Sequence, residues 1–328
     1  MAGVQGSQLA IAVCNAGGLG SLPCAMLDGD AIRAEVSAIR ARSSRPFNLN
    51  FFCHAPPPDD ADAADRAWRE TLGSYFRELD VPADATAGAA RTPFTEALAD
   101  VVEELKPPII SFHFGLPPEP LLERVRGWGA KILSSATTVA EARWLAERGV
   151  DAIIAQGAEA GGHRGMFLDT AVEEQLGTFA LVPQVIAATR LPVIAAGGIA
   201  DQRGVRAALA LGAVAAQIGT SYLLCPETTT HALHRAALTS ERAAHTVVTN
   251  VFTGRPARTI VNRLTRELGP MTAVAPPFPL ASNAVMPLRA AAERRGSDDF
   301  SPLWAGQNAT GCKVISAAQL TRELAGVA

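Results

Sequence analysis

The residues best suited to chemistry lie together at Ala155-Gln156-Gly157-Ala158-Glu159-Ala160-Gly161-Gly162-His163-Arg164-Gly165. The apolar run Val150–Ala155 that leads into them reads as a short strand covered on both faces. The glycines let the backbone pass close to another group because no Cβ stands in the way. His163 at the tip carries the side chain best matched to proton transfer near neutral pH. A solvated surface loop needs no such combination. The stretch is read as a planar cofactor lying against the glycines with His163 as a catalytic residue above it.

Such a loop needs a scaffold, and the flanking sequence supplies alternating strand-like and helix-like segments, the pattern of a parallel sheet or barrel. The expected strands are 19–22, 45–52, 109–115, 131–136, 150–155, 191–199 and 213–220. Helices are expected at 7–15, from the N-cap Asp28 to Arg42, and at 95–105, 118–128, 139–148, 177–189 and 202–211. An excursion interrupts this rhythm: a stiff Pro-rich acidic loop at 55–60, a helix over 61–79, and a small-residue, polar stretch at 82–90. Seven strands is one short of a (β/α)₈ barrel. Beyond Cys225 the alternation stops, so residues 1–225 are read as the barrel and 226–328 as a mainly helical cap over its mouth. Helices are expected there at 227–238, 240–245, 285–295 and 316–324, and a strand at 246–252.

In such a barrel the site residues sit at the C-terminal ends of the strands. Those ends carry Asn50, His113, Gln156 with Gly161, Gly162 and His163, then Gly197 and Gly198, and finally Gln217, Ile218, Gly219 and Thr220. The last two clusters follow consecutive late strands, where turn and helix-terminal N–H groups commonly hold a phosphate. The side-chain amides of Asn50, Gln156 and Gln217 suit the N–H and C=O edge of a heteroaromatic ring. A phosphorylated ring held by glycines and amides, with no charged partner for the ring, points to FMN.

Composition narrows the alternatives. A net charge of −3 gives no basic footprint for nucleic acid. Five scattered cysteines, none in C-x-x-C spacing, read as reduced thiols of a cytoplasmic protein without a zinc site. The apolar run within Met1–Val13 is too short for a membrane span. His54, His231, His234 and His245 are read as surface residues, and no metal site is assigned to the i, i+3 pair His231/His234. Glu159, Arg164 and Asp201 stand at strand mouths as loop ion pairs or site groups.

Seven runs in order carry a resemblance over essentially the whole chain. They are 15–20 (NAGGLG), 47–51 (FNLNF), 111–115 (SFHFG), Ala155–Gly165, 195–199 (AAGGI), 217–220 (QIGT) and 304–307 (WAGQ). Together they closely resemble the nitronate monooxygenases, formerly called 2-nitropropane dioxygenases. The resemblance implies an FMN-dependent (β/α)₈ barrel that oxidises alkyl nitronates with O₂ to a carbonyl compound and nitrite. It places FMN against Asn50, Gln156, Gly161, Gly198 and the segment Gln217–Thr220, makes His163 the catalytic histidine, and puts His113 in the substrate pocket. Its partners would be a small nitronate or nitroalkane and O₂, with no nucleic acid or membrane, and a homodimer is left open.

The sequence departs from the family twice. The family's first strand precedes a turn like Met1-Ala2-Gly3, so either the start of this chain is assigned too late or the barrel is open by one strand. The cap stretch 278–286 (FPLASNAVM) is also less polar than that of relatives with tyrosines and a lysine there. Two other readings use the same barrel: an NAD(P)H-dependent FMN oxidoreductase acting on a quinone or enoyl thioester, and an inactive flavin-binding barrel.

Overall fold

The computed structural model describes residues 1–57, 61–86, 91–169 and 171–327. Seven short apolar segments pair in parallel: β1 (Gly20–Pro23), β2 (Phe47–Phe52), β3 (Ile109–His113), β4 (Lys131–Ala136), β5 (Ala152–Gln156), β7 (Val193–Ala196) and β8 (Ala215–Gln217). They lie in chain order, β1-β2-β3-β4-β5-β7-β8, each next to the strand before it. This is the (β/α) barrel topology with β1 and β8 unjoined, as the count of seven strands implied. Gln5 touches both sides of that gap, donating to the Ser21 carbonyl of β1 at 2.5 Å and bridging to Thr228 beyond β8.

Successive residues of a strand face opposite ways, which gives the sheet two different faces. Leu49, Phe51, Ile110, Phe112, Ile132, Ile153, Ala155, Val193 and Ala195 join the main apolar core with residues of the surrounding helices. Helix Gly29–Arg42 contributes Ile32, Val36 and Ile39, all fully buried. Asp28 caps it by accepting from the Ala31 N–H at 2.8 Å, a contact worth about 1 kcal/mol. Thr95, Thr138, Asp201 and Ser316 cap later helices in the same way. The register pairs Asn50 with Ser111, Phe52 with His113 and Gln156 with Ala196 on the opposite face. The chemistry-bearing strand residues therefore share the inner face.

The excursion after β2 forms two helices, Ala61–Thr71 and Gly73–Leu79, because the chain breaks at Leu72 before Gly73. Trp68, Leu72 and Phe76 pack into a second apolar cluster with Val285 and Leu288 of the cap helix Ala281–Arg294, and the Trp68 indole donates to the Ala281 carbonyl at 3.2 Å. Parts of the expected loop 55–60 and of the stretch 82–90 lie outside the described residues.

The C-terminal region holds helices Ala232–Leu238, Arg263–Glu267, Ala281–Arg294 and Ala317–Ala325. It also builds a sheet the sequence reading lacks. Strand β9 (Thr246–Thr249) pairs antiparallel with β10 (Ala257–Ile260), and β10 pairs with β6 (Gly162–His163), which lies inside the glycine loop. The loop is thus stitched to the cap. Among the described residues no helix is long and apolar enough to cross a membrane.

Candidate active site

The polar residues of the inner face are tied to one another before any ligand is considered. Ser111 Oγ accepts from the amides of Asn48 and Asn50, both at 2.8 Å. Asn48 Oδ1 is buried without a partner. At the next strand ends, His113 Nδ1 lies 2.9 Å from Ser135 Oγ and its Nε2 lies 3.2 Å from the His163 carbonyl. A carbonyl only accepts, so Nε2 carries the proton and Nδ1 accepts from the serine hydroxyl. Burial, reinforced by the positive charge of Arg255, depresses the His113 pKa to about 3, so this ring is a neutral brace.

Three side chains fold the glycine loop back over β5. Gln156, at the end of β5, donates to the His163 carbonyl at 3.0 Å and accepts from the Gly165 N–H at 2.7 Å, so both ends of its amide serve the loop. Arg164 is only 1% exposed, although the sequence places it in a loop. It donates to the Gly157 and Gln156 carbonyls at 2.8 and 2.9 Å and to Gln175 Oε1 at 2.6 Å. Glu159 accepts from the Thr178 N–H at 2.8 Å and holds the start of helix Thr178–Thr189. Of the three charged groups at the strand mouths, Arg164 and Glu159 are loop clamps. Asp201 is a helix cap that also pairs with Arg203 at the surface.

The His163 imidazole projects into an aromatic pocket. Its centroid lies 5.3 Å from both Phe278 and Trp304, 6.0 Å from Phe114 and 6.2 Å from Phe52. Its Nε2 is 3.0 Å from Thr253 Oγ1, and that hydroxyl reaches the Arg255 carbonyl at 3.4 Å. When Thr253 donates to that carbonyl, His163 Nε2 is the donor to Thr253 and Nδ1 keeps the lone pair. Desolvation, then the charges of Arg91 and Arg255, holds the His163 pKa well below the ordinary 6.5. The ring is therefore neutral at pH 7 and able to accept a proton.

The glycines have different reasons to be glycine. A Cβ on Gly161 would lie 2.4 Å from the Gly306 nitrogen, so Gly161 admits the Ala305-Gly306 chain. Gly162 has φ +73°, and a Cβ there would meet nothing within 4 Å. Gly162 is therefore the glycine of the pair whose Cβ side is open. At the late turns, Gly197 and Gly198 follow β7 directly, and Ala196 pairs with Gln217, so the turn Gln217-Ile218-Gly219-Thr220 stands beside them. Among the described residues the N–H groups of Gly198, Gly219 and Thr220 have no acceptor. Unsatisfied N–H groups on adjoining strand ends suit a phosphate. Gln217 is exposed, and its amide has no partner among the described residues. These features fit a flat phosphorylated cofactor, with Gln156 supporting the loop instead of presenting a free amide.

Several residues in and around the pocket were given no role by sequence reasoning. His54, expected at the surface, is 6% exposed, with its ring 4.8 Å from Phe278 and its Nδ1 unpartnered. His234 is likewise buried, because helix Ala232–Leu238 turns it inward, whereas His231 and His245 are exposed as expected. Arg255 lies over the Phe114 ring at 3.9 Å, and Arg91 stands 5.9 Å from the centre of Phe278. Trp304 comes from the run 304–307 and bridges to Thr259 of β10. An apolar flank at Phe52 was the only local signal for His54, and the two arginines had none.

An open parallel β/α barrel with a half-buried neutral histidine and paired glycine turns at its strand ends defines an enzyme of the α/β-barrel class. Comparison with known proteins narrows that class. A profile of the nitronate monooxygenase family matches residues 1–326. The chain is 43% identical to a nitronate monooxygenase of Paraburkholderia phytofirmans over 99% of its length and 89% of that protein. It is 41% identical to one of Pseudomonas aeruginosa over 99% and 93%. Among solved structures, a nitroalkane oxidase from Streptomyces ansochromogenes superposes with a TM-score of 0.90 at 37% identity, covering 99% of this chain and 93% of that one. FabK from Thermotoga maritima follows at 0.73 and 27%, covering 99% and 89%. The chain belongs to the nitronate monooxygenase family, a family of flavin-dependent oxidoreductases.

Proposed function

We propose that this protein uses FMN to oxidise alkyl nitronates with O₂ to a carbonyl compound and nitrite. The observation that carries the reading is His163: a neutral imidazole in an aromatic pocket, directly after Gly162, the glycine whose Cβ side is open. When bound, FMN supplies the redox chemistry that an amino-acid side chain lacks.

In this reading residues 1–225 hold the flavin and 226–328 cover it. Gly162 lets the backbone approach the ring, with Asn50 at its edge. Gly197, Gly198 and the segment Gln217, Ile218, Gly219 and Thr220 take the phosphate through main-chain N–H groups. Gln156 and Gly161 act one step back, fixing the loop against β5 and against Ala305-Gly306. The chain's own work at the substrate is to orient and to move a proton. His163 orients a bound nitronate, and its free ring nitrogen takes the α-proton when a neutral nitroalkane is offered. His113 keeps the His163 main chain in place through its Nε2–H. Phe52, Phe114, Phe278 and Trp304 exclude water from that step.

The test is oxygen uptake by the purified FMN-loaded protein with ethylnitronate and no nicotinamide. Turnover is expected, and His163→Asn should reduce it about 100- to 10,000-fold with FMN still bound. Unchanged turnover in His163→Asn would remove the histidine from the reaction. An absolute requirement for NADH would favour the quinone or enoyl-thioester reductase alternative.

A further inference from the structure

We infer that Arg91 and Arg255 form an anion-holding pair in the His163 pocket and so select the ionised nitronate over the neutral nitroalkane. The inference deepens the nitronate reading and rests on it for the identity of the substrate.

Both guanidinium groups stand against the rings that wall the imidazole. Arg255 stacks on Phe114 at 3.9 Å, Arg91 stands 5.9 Å from the Phe278 centroid, and those two rings are 5.6 Å apart. His163 lies 6.0 Å from the first ring and 5.3 Å from the second. Both arginines are half-buried, and cations drawn out of water are normally paired because desolvation is costly. Among the described residues neither has a carboxylate partner: Arg91 reaches only Ser282 Oγ, at 3.5 Å, and Arg255 donates to the Met166 carbonyl. Glu141, the one acid that bears on Arg255, is committed to the main chain at Thr137 and Phe167.

Arg255 Nε is moreover buried with no acceptor among the described residues. A merely bracing arginine would have that N–H satisfied or wet. A planar oxyanion would satisfy the orphan donor and offset two like charges at once. The turn Thr253-Gly254-Arg255 links this pair to the histidine, since Thr253 holds His163 Nε2 and Gly254 at φ +84° turns the chain toward Arg255. The substrate's anionic head and the proton acceptor are thereby set by one tripeptide.

Oxygen uptake by the FMN-loaded enzyme tests this with preformed ethylnitronate and with fresh nitroethane, for the wild type, Arg91→Met, Arg255→Met and Arg255→Lys. Nitrate, a planar oxyanion that is not a substrate, is titrated into each by calorimetry. Each Met variant should raise KM for ethylnitronate about 10- to 100-fold with kcat little changed, and weaken nitrate to a similar degree. KM for nitroethane should move less than about 3-fold, and Arg255→Lys should recover part of the loss. The two arginines sit on separate loops, so circular dichroism showing one variant misfolded leaves the other to decide. Unchanged nitrate affinity with an unchanged nitronate KM overturns the inference, as does an equal rise in KM for both substrates. Nitrate binding that weakens in a protein without nitronate turnover sustains the anion pair and refutes the reaction.

Discussion

Gly161 and Gly162 are adjacent, yet their alanine variants should fail in different ways. An alanine Cβ at 161 lies 2.4 Å from the Gly306 nitrogen and 2.5 Å from the Ala305 carbonyl carbon, against an ordinary contact of about 3.5 Å. Backbone must move by roughly 1 Å to relieve that overlap. The displaced segment carries two hydrogen bonds, Gly306 N–H to Thr220 Oγ1 and Gln307 N–H to the Glu159 carbonyl, both 2.9 Å. Overpacking strain plus their loss costs about 2–5 kcal/mol. An alanine at 162 meets no atom within 4 Å and suffers only the left-handed backbone at φ +73°, about 1–2 kcal/mol. Its methyl group points into the space assigned to the flavin. Urea unfolding of the cofactor-free proteins and fluorescence titration with FMN read the two effects separately. Gly161→Ala should lose the greater share of stability. Gly162→Ala should keep most of it while FMN affinity drops at least about 10-fold, the effect of a 1.4 kcal/mol clash. Gly162→Ala binding FMN as tightly as the wild type, or equal stability losses, would refute the division of roles.

Stability should also fall in mild acid. The pKa of His113 is lowered to about 3 and those of His54 and His234 to about 4, each mainly by burial, and His163 is depressed as well. The unfolded chain takes up these protons below pH 6.5 and the folded chain does not. Stability is therefore full above that pH and declines toward pH 4, by up to about 1.4 kcal/mol per pH unit for each histidine. His54→Gln should flatten the slope, measured by urea unfolding across pH 4.5 to 7. Glu141 is fully buried and accepts from Thr137 N–H and Oγ1 and from the Phe167 and Leu168 N–H groups. Glu141→Ala strands those donors and should cost about 3 kcal/mol or more in the same assay, with Glu141→Gln markedly milder.

The parallel strands were legible because each is an apolar run bounded by turn residues, and helix 29–42 because Asp28 and the spacing of Ile32, Val36 and Ile39 agree. The position of His163 followed from its glycine context. The strand it occupies did not: two residues have no period, and β10 becomes a strand only by pairing with β9 and β6. Gln156 was named for the edge of a ring and Arg164 as a loop ion pair or site group; their hold on the loop was not foreseen, since folding a loop onto its own carbonyls leaves no mark in residue type. Arg91 and Arg255 come from distant loops and meet at Phe114 and Phe278 only in the folded chain. Glu141 reads as an ordinary helix carboxylate until the 167–168 turn closes over it.

The most direct test mixes the FMN-loaded protein anaerobically with ethylnitronate and, separately, with NADH, following the flavin's visible absorbance by stopped flow. Ethylnitronate should change the flavin spectrum rapidly, and NADH should leave it oxidised on that timescale. Rapid bleaching by NADH with no response to ethylnitronate would contradict the nitronate reading.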